Sequence, residues 1–457
     1  MAEITPLTHI AGNGPTPDNA PALPGLPAPA ARAGSARRKL GWPFWLLIAF
    51  SFVLLLSPQS FIGALRPLHL AFAAAGLAAL TYGFDRFRHR QPLLPMTRPT
   101  VLTLCLLGLA LVTVPLSYWP GGSLSYITGL YLKTLIIFWL LSNIVDTLPK
   151  LRIVALALSL MAVPLALSGV AGFISGGFLH EELSSGLHRI AGYDAALTGN
   201  PNDLALMLNL ILPLTIALFL DSRRLGWRMA LLTFICLDVI AIIATFSRGG
   251  FLILGVICLA YLWKLFRRGH QRLVFATAGL LLVAVPLLPG GYMARLATIT
   301  NIQSDPTHSA QVRWADSVAA AEYALQHPLV GAGVGMDVLV LNRLRGVNWT
   351  EVHNAYLQIA VELGVPGLLL FLWLFRECFK AAKSAQRLAG DNQSLQLLSE
   401  ALWISLLAFA VAGFFYPNGY KFYFYYIAGL AIAAQSVAAG MIRRQDTSTV
   451  HSTDAAA

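Results

Sequence analysis

Apolar runs of membrane-spanning length recur down this chain, and no other feature restricts its fold so much. At about 1.5 Å per residue, roughly twenty helical residues cross the ~30 Å hydrocarbon core of a bilayer. The runs read as spans at 42–58, 62–82, 100–118, 125–145, 152–172, 203–220, 228–246, 249–266, 272–289, 355–375, 396–415 and 420–440. A composition 57% hydrophobic and only 12% charged, with mean hydropathy +0.66, does not describe a soluble domain. The expectation is an all-α polytopic membrane protein of about 12 transmembrane helices, with a large outer loop between the ninth and tenth.

Orientation follows from the 32 Lys and Arg, because short cytoplasmic loops collect positive charge. With both ends inside, most of them fall on the cytoplasmic side. The net charge of +11 is then mainly a topology signal and gives no reason to invoke nucleic acid. Arg66, Lys133, Arg189, Arg248, Arg295, Arg313, Arg343, Arg345 and Lys421 are the exceptions, within spans or on the outer side.

Residues 1–40 are rich in Pro, Ala and Gly and read as a disordered cytoplasmic tail, not a cleaved signal peptide. Residues 41–442 form the membrane domain, with 290–353 as its outer loop, and 443–457 read as a second loose tail. Cys105, Cys236, Cys258 and Cys378 lie at spacings that suit neither zinc nor disulfides, so they read as packing residues. Arg66, early in span two, and Lys133, mid-span, should face a polar cavity, or Lys133 should pair with an internal acid such as Asp238.

Between spans five and six, Arg189 precedes a Gly-Asn-Pro-Asn-Asp turn in which Asn200 or Asn202 can cap the next helix, whose amino end favours an anion. His180, Glu181 and Glu182 nearby lack a second cluster at ligand spacing and read as a solvated loop. Spans seven and eight are joined by Ser247, Arg248, Gly249 and Gly250: two glycines permit close approach of a ligand, and the guanidinium is a planar fork suited to phosphate oxygens. In the long outer loop, SAQVRWADSVAAAEYALQHP reads as an amphipathic helix with Trp314, Val318, Ala321 and Leu325 on one stripe and Arg313 beside it. The GAGVG that follows, Gly331 to Gly335, reads as a mobile hinge, since no strand precedes it to make a nucleotide loop.

The outer loop ends at His353 and Asn354, where an apolar run begins, so His353 sits at a membrane boundary. An imidazole titrating near pH ~6.5 can take a proton from a hydroxyl. His353 and Glu362, nine positions apart, lie on opposite faces of one helix and cannot form a dyad within it, whereas Tyr356 shares the His353 face.

In order, SRGG closing one span, an Arg-Trp amphipathic helix leading to HPLVGAGVG, and HNAYLQIAVELGVPGLLLF resemble the O-antigen ligase and polymerase superfamily over roughly residues 185 to 375. The resemblance implies a fold of the glycosyltransferase C kind in the bacterial inner membrane, with its active site facing the periplasm. It implies an enzyme moving a polysaccharide from undecaprenyl pyrophosphate to a sugar hydroxyl of lipid A-core. His353, Arg248 and Arg313 become its catalytic residues, and Arg189, Arg248, Arg313 and Tyr356 bind substrate.

Fixed guanidinium groups in a partly dry cavity can stabilise the charge that builds on a departing diphosphate, while His353 accepts the proton of the attacking hydroxyl. No two aspartates lie within three residues of each other to hold a divalent ion, so the expectation is transfer without metal or cofactor, by direct attack that inverts the anomeric centre. A polymerase or a protein-glycosylating ligase would differ in its acceptor. A transporter is disfavoured by the absence of a clear internal repeat or a matched pair of broken helices.

Overall fold

The computed structural model describes residues 40–177, 190, 192–193, 195, 197–288, 292–299, 301, 303, 308–347 and 349–454. The long helices are α1 (Trp42–Leu56), α2 (Leu70–Arg88), α3 (Arg98–Val112), α4 (Pro120–Ile144), α5 (Leu148–Ile174), α6 (Pro201–Asp221) and α7 (Leu225–Ala244). They continue as α8 (Arg248–Arg267), α9 (Gln271–Ala284), α10 (Ser309–Gln326), α11 (Asp337–Arg345), α12 (Ala355–Leu388), α13 (Gln393–Ala412) and α14 (Phe422–Asp454). No strand occurs among the described residues, as a bilayer requires of a chain that must satisfy its backbone hydrogen bonds within each helix.

Nine of the described helices are long and apolar enough to cross a membrane, where the sequence predicts about twelve. The difference is one of length. Helices α1 and α3 have 15 residues and α9 has 14, which at about 1.5 Å per residue falls short of the ~30 Å core. Arg66 falls early in the Gly63–Arg88 span, as the sequence predicts, but it does not face a cavity: it sits exposed in the short 3-10 turn Gly63–Leu68 that precedes α2. At the other end, α14 runs on to Asp454 through the stretch read as a loose tail, whose residues include no Pro or Gly to stop a helix.

Helix α6 is the axis of the bundle, with α5, α7, α8 and α13 packed around it; 78% of its apolar window is buried, against 6% for the Gly63–Arg88 window that contains α2. Its polar groups tie neighbours together where lipid offers no partner. Asn209 Nδ2 donates to the Gly250 carbonyl of α8 at 3.0 Å, and the Ser405 hydroxyl of α13 donates to Leu210 O at 2.9 Å. An aromatic stack of Phe371, Phe375, Phe409 and Phe424 binds α12, α13 and α14.

Charge is sorted to the two ends of this bundle. At one end Arg152 pairs with Asp221 at 2.8 Å, and Lys264, Arg268 and Gln386 converge on Glu400. Arg248, Arg313 and His353 lie at the other. Within the bundle, Lys133 does not pair with Asp238: its ammonium rests over the Phe72 ring, 4.1 Å from the centroid, while Asp238 is buried on α7.

Candidate active site

The SRGG turn is built as a helix start. Ser247 accepts the Gly250 N–H at 3.1 Å and donates to Asn202 Oδ1 at 2.8 Å, so it caps α8 and anchors that helix to the start of α6. Asn200 caps α6 as its sequence predicts, accepting the Asp203 N–H at 2.9 Å. The two glycines serve protein packing: a Cβ at Gly250 would lie 2.6 Å from Ala205 Cβ, and one at Gly249 would lie 3.1 Å from the Tyr416 hydroxyl. Arg248, first residue of α8, donates to Thr298 Oγ1 at 2.7 Å and Ser309 Oγ at 3.0 Å. Its fork thereby joins α8 to the first turn of α10, and Arg313 stands one turn further along that helix, on the same face as Ser309.

The GAGVG segment is not a mobile hinge but a buried splice between the outer loop and α12. Helix α12 is broken at Gly364, whose φ of 66° is left-handed, and Pro366 has no N–H to offer Glu362 O. The carbonyls of Val361 and Glu362 therefore accept the N–H groups of Ala332 and Gly333, at 2.8 and 2.9 Å, and Val365 N–H turns to Pro328 O at 2.8 Å. Glycine is required for this approach, since a Cβ at Gly331 would meet Val361 O at 2.3 Å and one at Gly333 would meet Ser117 Oγ at 2.2 Å. The apolar stripe of α10 does not enter the core: Trp314, Val318 and Leu325 are exposed, and the helix buries Asp316, Ala319 and Ala320 instead. Short side chains on that face let α10 lie close against α12.

His353 is the best-held point of the site, because each residue around it is tied to a different part of the chain. Arg345 donates to Thr350 O at 2.6 Å and ion-pairs with buried Asp316 of α10, also at 2.6 Å. Lys421, just before α14, pairs with Glu351 at 2.9 Å. Asp337 Oδ2 accepts the Val352 N–H at 2.9 Å. Asn354 Oδ1 accepts from both Tyr356 and Leu357 at 3.0 Å and starts α12.

Burial, reinforced by nearby cations, sets the state of the imidazole. Burial pushes the His353 pKa down to about 3, with the charges of Arg313, Lys421 and Arg345 acting in the same direction and a backbone hydrogen bond to Glu351 opposing them. His353 is thus neutral at physiological pH and can accept a proton, and its Nδ1 has no hydrogen-bond partner among the described residues.

The fold brings together Arg313 and His353, and links Arg248 to Arg313 through Ser309. Arg189 lies outside the described residues, as do His180, Glu181 and Glu182. Tyr356 is turned toward α13: its hydroxyl donates to Ala410 O at 2.7 Å, and its ring packs on Phe414. Arg345 and Lys421 stood out in the sequence only as basic residues away from the cytoplasmic side, and Asp316 and Asp337 gave no signal at all.

These features define a multi-pass, all-α membrane protein in which a neutral histidine is held among arginines at one end of the bundle. Residues 230–372 match the family model described as O-Antigen ligase, so that stretch of the chain is similar to the O-antigen ligase superfamily. The matched stretch begins in α7 and ends near the middle of α12, so it contains Arg248, Arg313, Asp337 and His353, while Lys421 lies beyond it. No curated protein matches the chain.

Proposed function

We propose that this protein is an O-antigen ligase: it transfers a polysaccharide from undecaprenyl pyrophosphate to a sugar hydroxyl of lipid A-core at the periplasmic face of the bacterial inner membrane. The acceptor oxygen attacks the anomeric carbon as the bond to the diphosphate breaks, the hydroxyl proton passes to His353, and the lipid diphosphate leaves with the bonding pair. The anomeric centre inverts. Arg313 and Arg248 receive the diphosphate, and Arg189 is assigned to donor binding from its sequence context alone. Tyr356 contributes by holding the start of α12 against α13.

The observation that carries this reading is the charge environment of His353. Arg313, Lys421 and Arg345 add to burial in keeping the imidazole unprotonated in the free protein, and a diphosphate bound beside them offsets their repulsion of a proton. Donor binding would therefore raise the basicity of His353 at the moment a base is needed. Guanidinium groups do here what a divalent ion does in metal-dependent sugar transfer, and among the described residues no three of His, Cys, Asp and Glu are grouped to hold one.

Transfer from purified lipid-linked donor to lipid A-core, assayed in EDTA without ATP, is expected to proceed at full rate. Strict dependence on magnesium or manganese would overturn the arginine account. Deletion of the gene separates ligase from polymerase: a ligase mutant loses surface polysaccharide while lipid-linked polymer accumulates, whereas a polymerase mutant leaves single repeat units on the core.

A further inference from the structure

Two carboxyl groups lie buried below His353, and the transfer chemistry does not use them. Asp337, 1% exposed, opens α11; Glu362, 0% exposed, lies on α12 at the point where the GAGVG segment is spliced to it. They face each other, and Glu362 also faces the Gly335 backbone and the Tyr420 hydroxyl. Tyr126 and Glu351 complete the titratable surroundings. Lys421 is paired with Glu351, and Arg345 with Asp316; neither Asp337 nor Glu362 forms an ion pair with a described residue.

Two adjacent buried carboxyls without a cation repel each other when both are charged, and a proton shared between them relieves that repulsion. Burial also holds the Asp337 carboxyl above the usual carboxylate range. Asp337 Oδ2 accepts the N–H of Val352, the residue next to His353.

We propose that Asp337, joined to Glu362 by a shared proton, is a positioning residue for His353: the pair fastens the outer loop to α12 and fixes the imidazole relative to the acceptor hydroxyl. This rests on His353 being the base. Losing the shared proton at alkaline pH sets two negative charges against each other in a buried site. The strain falls on the Val352 contact, so transfer declines as pH rises through that loss.

The test compares single-turnover transfer, donor KM and pH profiles for Asp337→Ala, Asp337→Asn, Glu362→Gln and His353→Ala, and for Asp337→Ala combined with His353→Ala. Asp337→Ala should lower kcat by about 10-fold or more with donor KM within about 2-fold, because a small misplacement of a general base is costly. Asp337→Asn keeps an oxygen for the Val352 N–H and should restore most of the loss. In the His353→Ala background Asp337→Ala should add nothing, since residues acting as a unit are not additive. Glu362→Gln cannot ionise and should abolish the alkaline limb. Wild-type kcat in Asp337→Ala, or a full multiplicative loss in the double variant, sinks the proposal. If Asp337→Ala does not fold, an alkaline limb unchanged in Glu362→Gln sinks it equally. Wild-type turnover in His353→Ala would instead remove the base itself, a distinct failure.

Discussion

At the scale of single residues, the protein combines a weak base with a cationic surround, and each makes a prediction. A His353 pKa near 3 in the free protein means that kcat/KM should show no acid limb from this residue across the ordinary pH range. Because the bound diphosphate offsets the positive charge, the corresponding limb in kcat should appear at higher pH. Coincident limbs in the two profiles would contradict the coupling. The same depression affects stability: between its unfolded value of 6.5 and its folded value of about 3, His353 takes a proton only when the chain unfolds. Its contribution is therefore present above pH 6.5 and is lost progressively as pH falls toward 3, and His353→Gln should flatten the fall of Tm over that window. Arg248→Lys keeps the charge but cannot span Thr298 and Ser309 together, so transfer should drop by about 10-fold or more despite normal expression. Tyr356→Phe gives the opposite pattern. It loses the hydrogen bond to Ala410 O, worth about 0.5–1.5 kcal/mol, and should lower Tm while leaving donor KM near wild type.

At the scale of elements, the break in α12 is what allows the outer loop to enter the bundle. A regular helix would have no free carbonyl at Val361 or Glu362, and Ala332 and Gly333 would have nothing to bind. Gly364→Ala puts a Cβ at a φ of 66° and 2.8 Å from Pro328 O. The strain alone costs on the order of 1–3 kcal/mol. The expected result is a lower Tm with faster proteolysis between α10 and α12, and wild-type Tm and cleavage kinetics would show that the splice does not stabilise the loop. In the sequence, GAGVG suggested mobility because glycine is permissive; here glycine is present because the backbones come too close for any side chain. Likewise the stripe of α10 looked like a core-facing stripe because periodicity reports which residues share a face, not what that face meets.

At the scale of the whole molecule, the placing of the Asp221 and Glu400 ion pairs at one end and of the His353 site at the other predicts that the two ends lie on opposite sides of a membrane. Single cysteines introduced as Val347→Cys and Asp391→Cys, in a background lacking Cys105, Cys236, Cys258 and Cys378, should react with an impermeant reagent from opposite sides. Labelling of both from one side would overturn the topology. Burial of α6, α13 and α14 against the near-complete exposure of α2 further predicts that polar substitutions are tolerated least along α6.

What the sequence by itself determined was local: helices where apolar residues run long enough, a cap at Asn200, the superfamily motifs around Arg248, Arg313 and His353, and the exclusion of a His353–Glu362 dyad. These depend on spacing along the chain, which can be read without coordinates. Only the tertiary structure decided that Arg66 sits in a turn, that Lys133 meets Phe72 and not Asp238, and that Tyr356 faces α13. It also decided that His353 is held by Arg345, Asp337 and Lys421, which come to the Thr350–Val352 segment from α11 and from the approach to α14. The reason is physical: the energy of a buried polar contact depends on what its partner brings from elsewhere in the fold, and no periodicity records which distant carboxylate or cation will arrive.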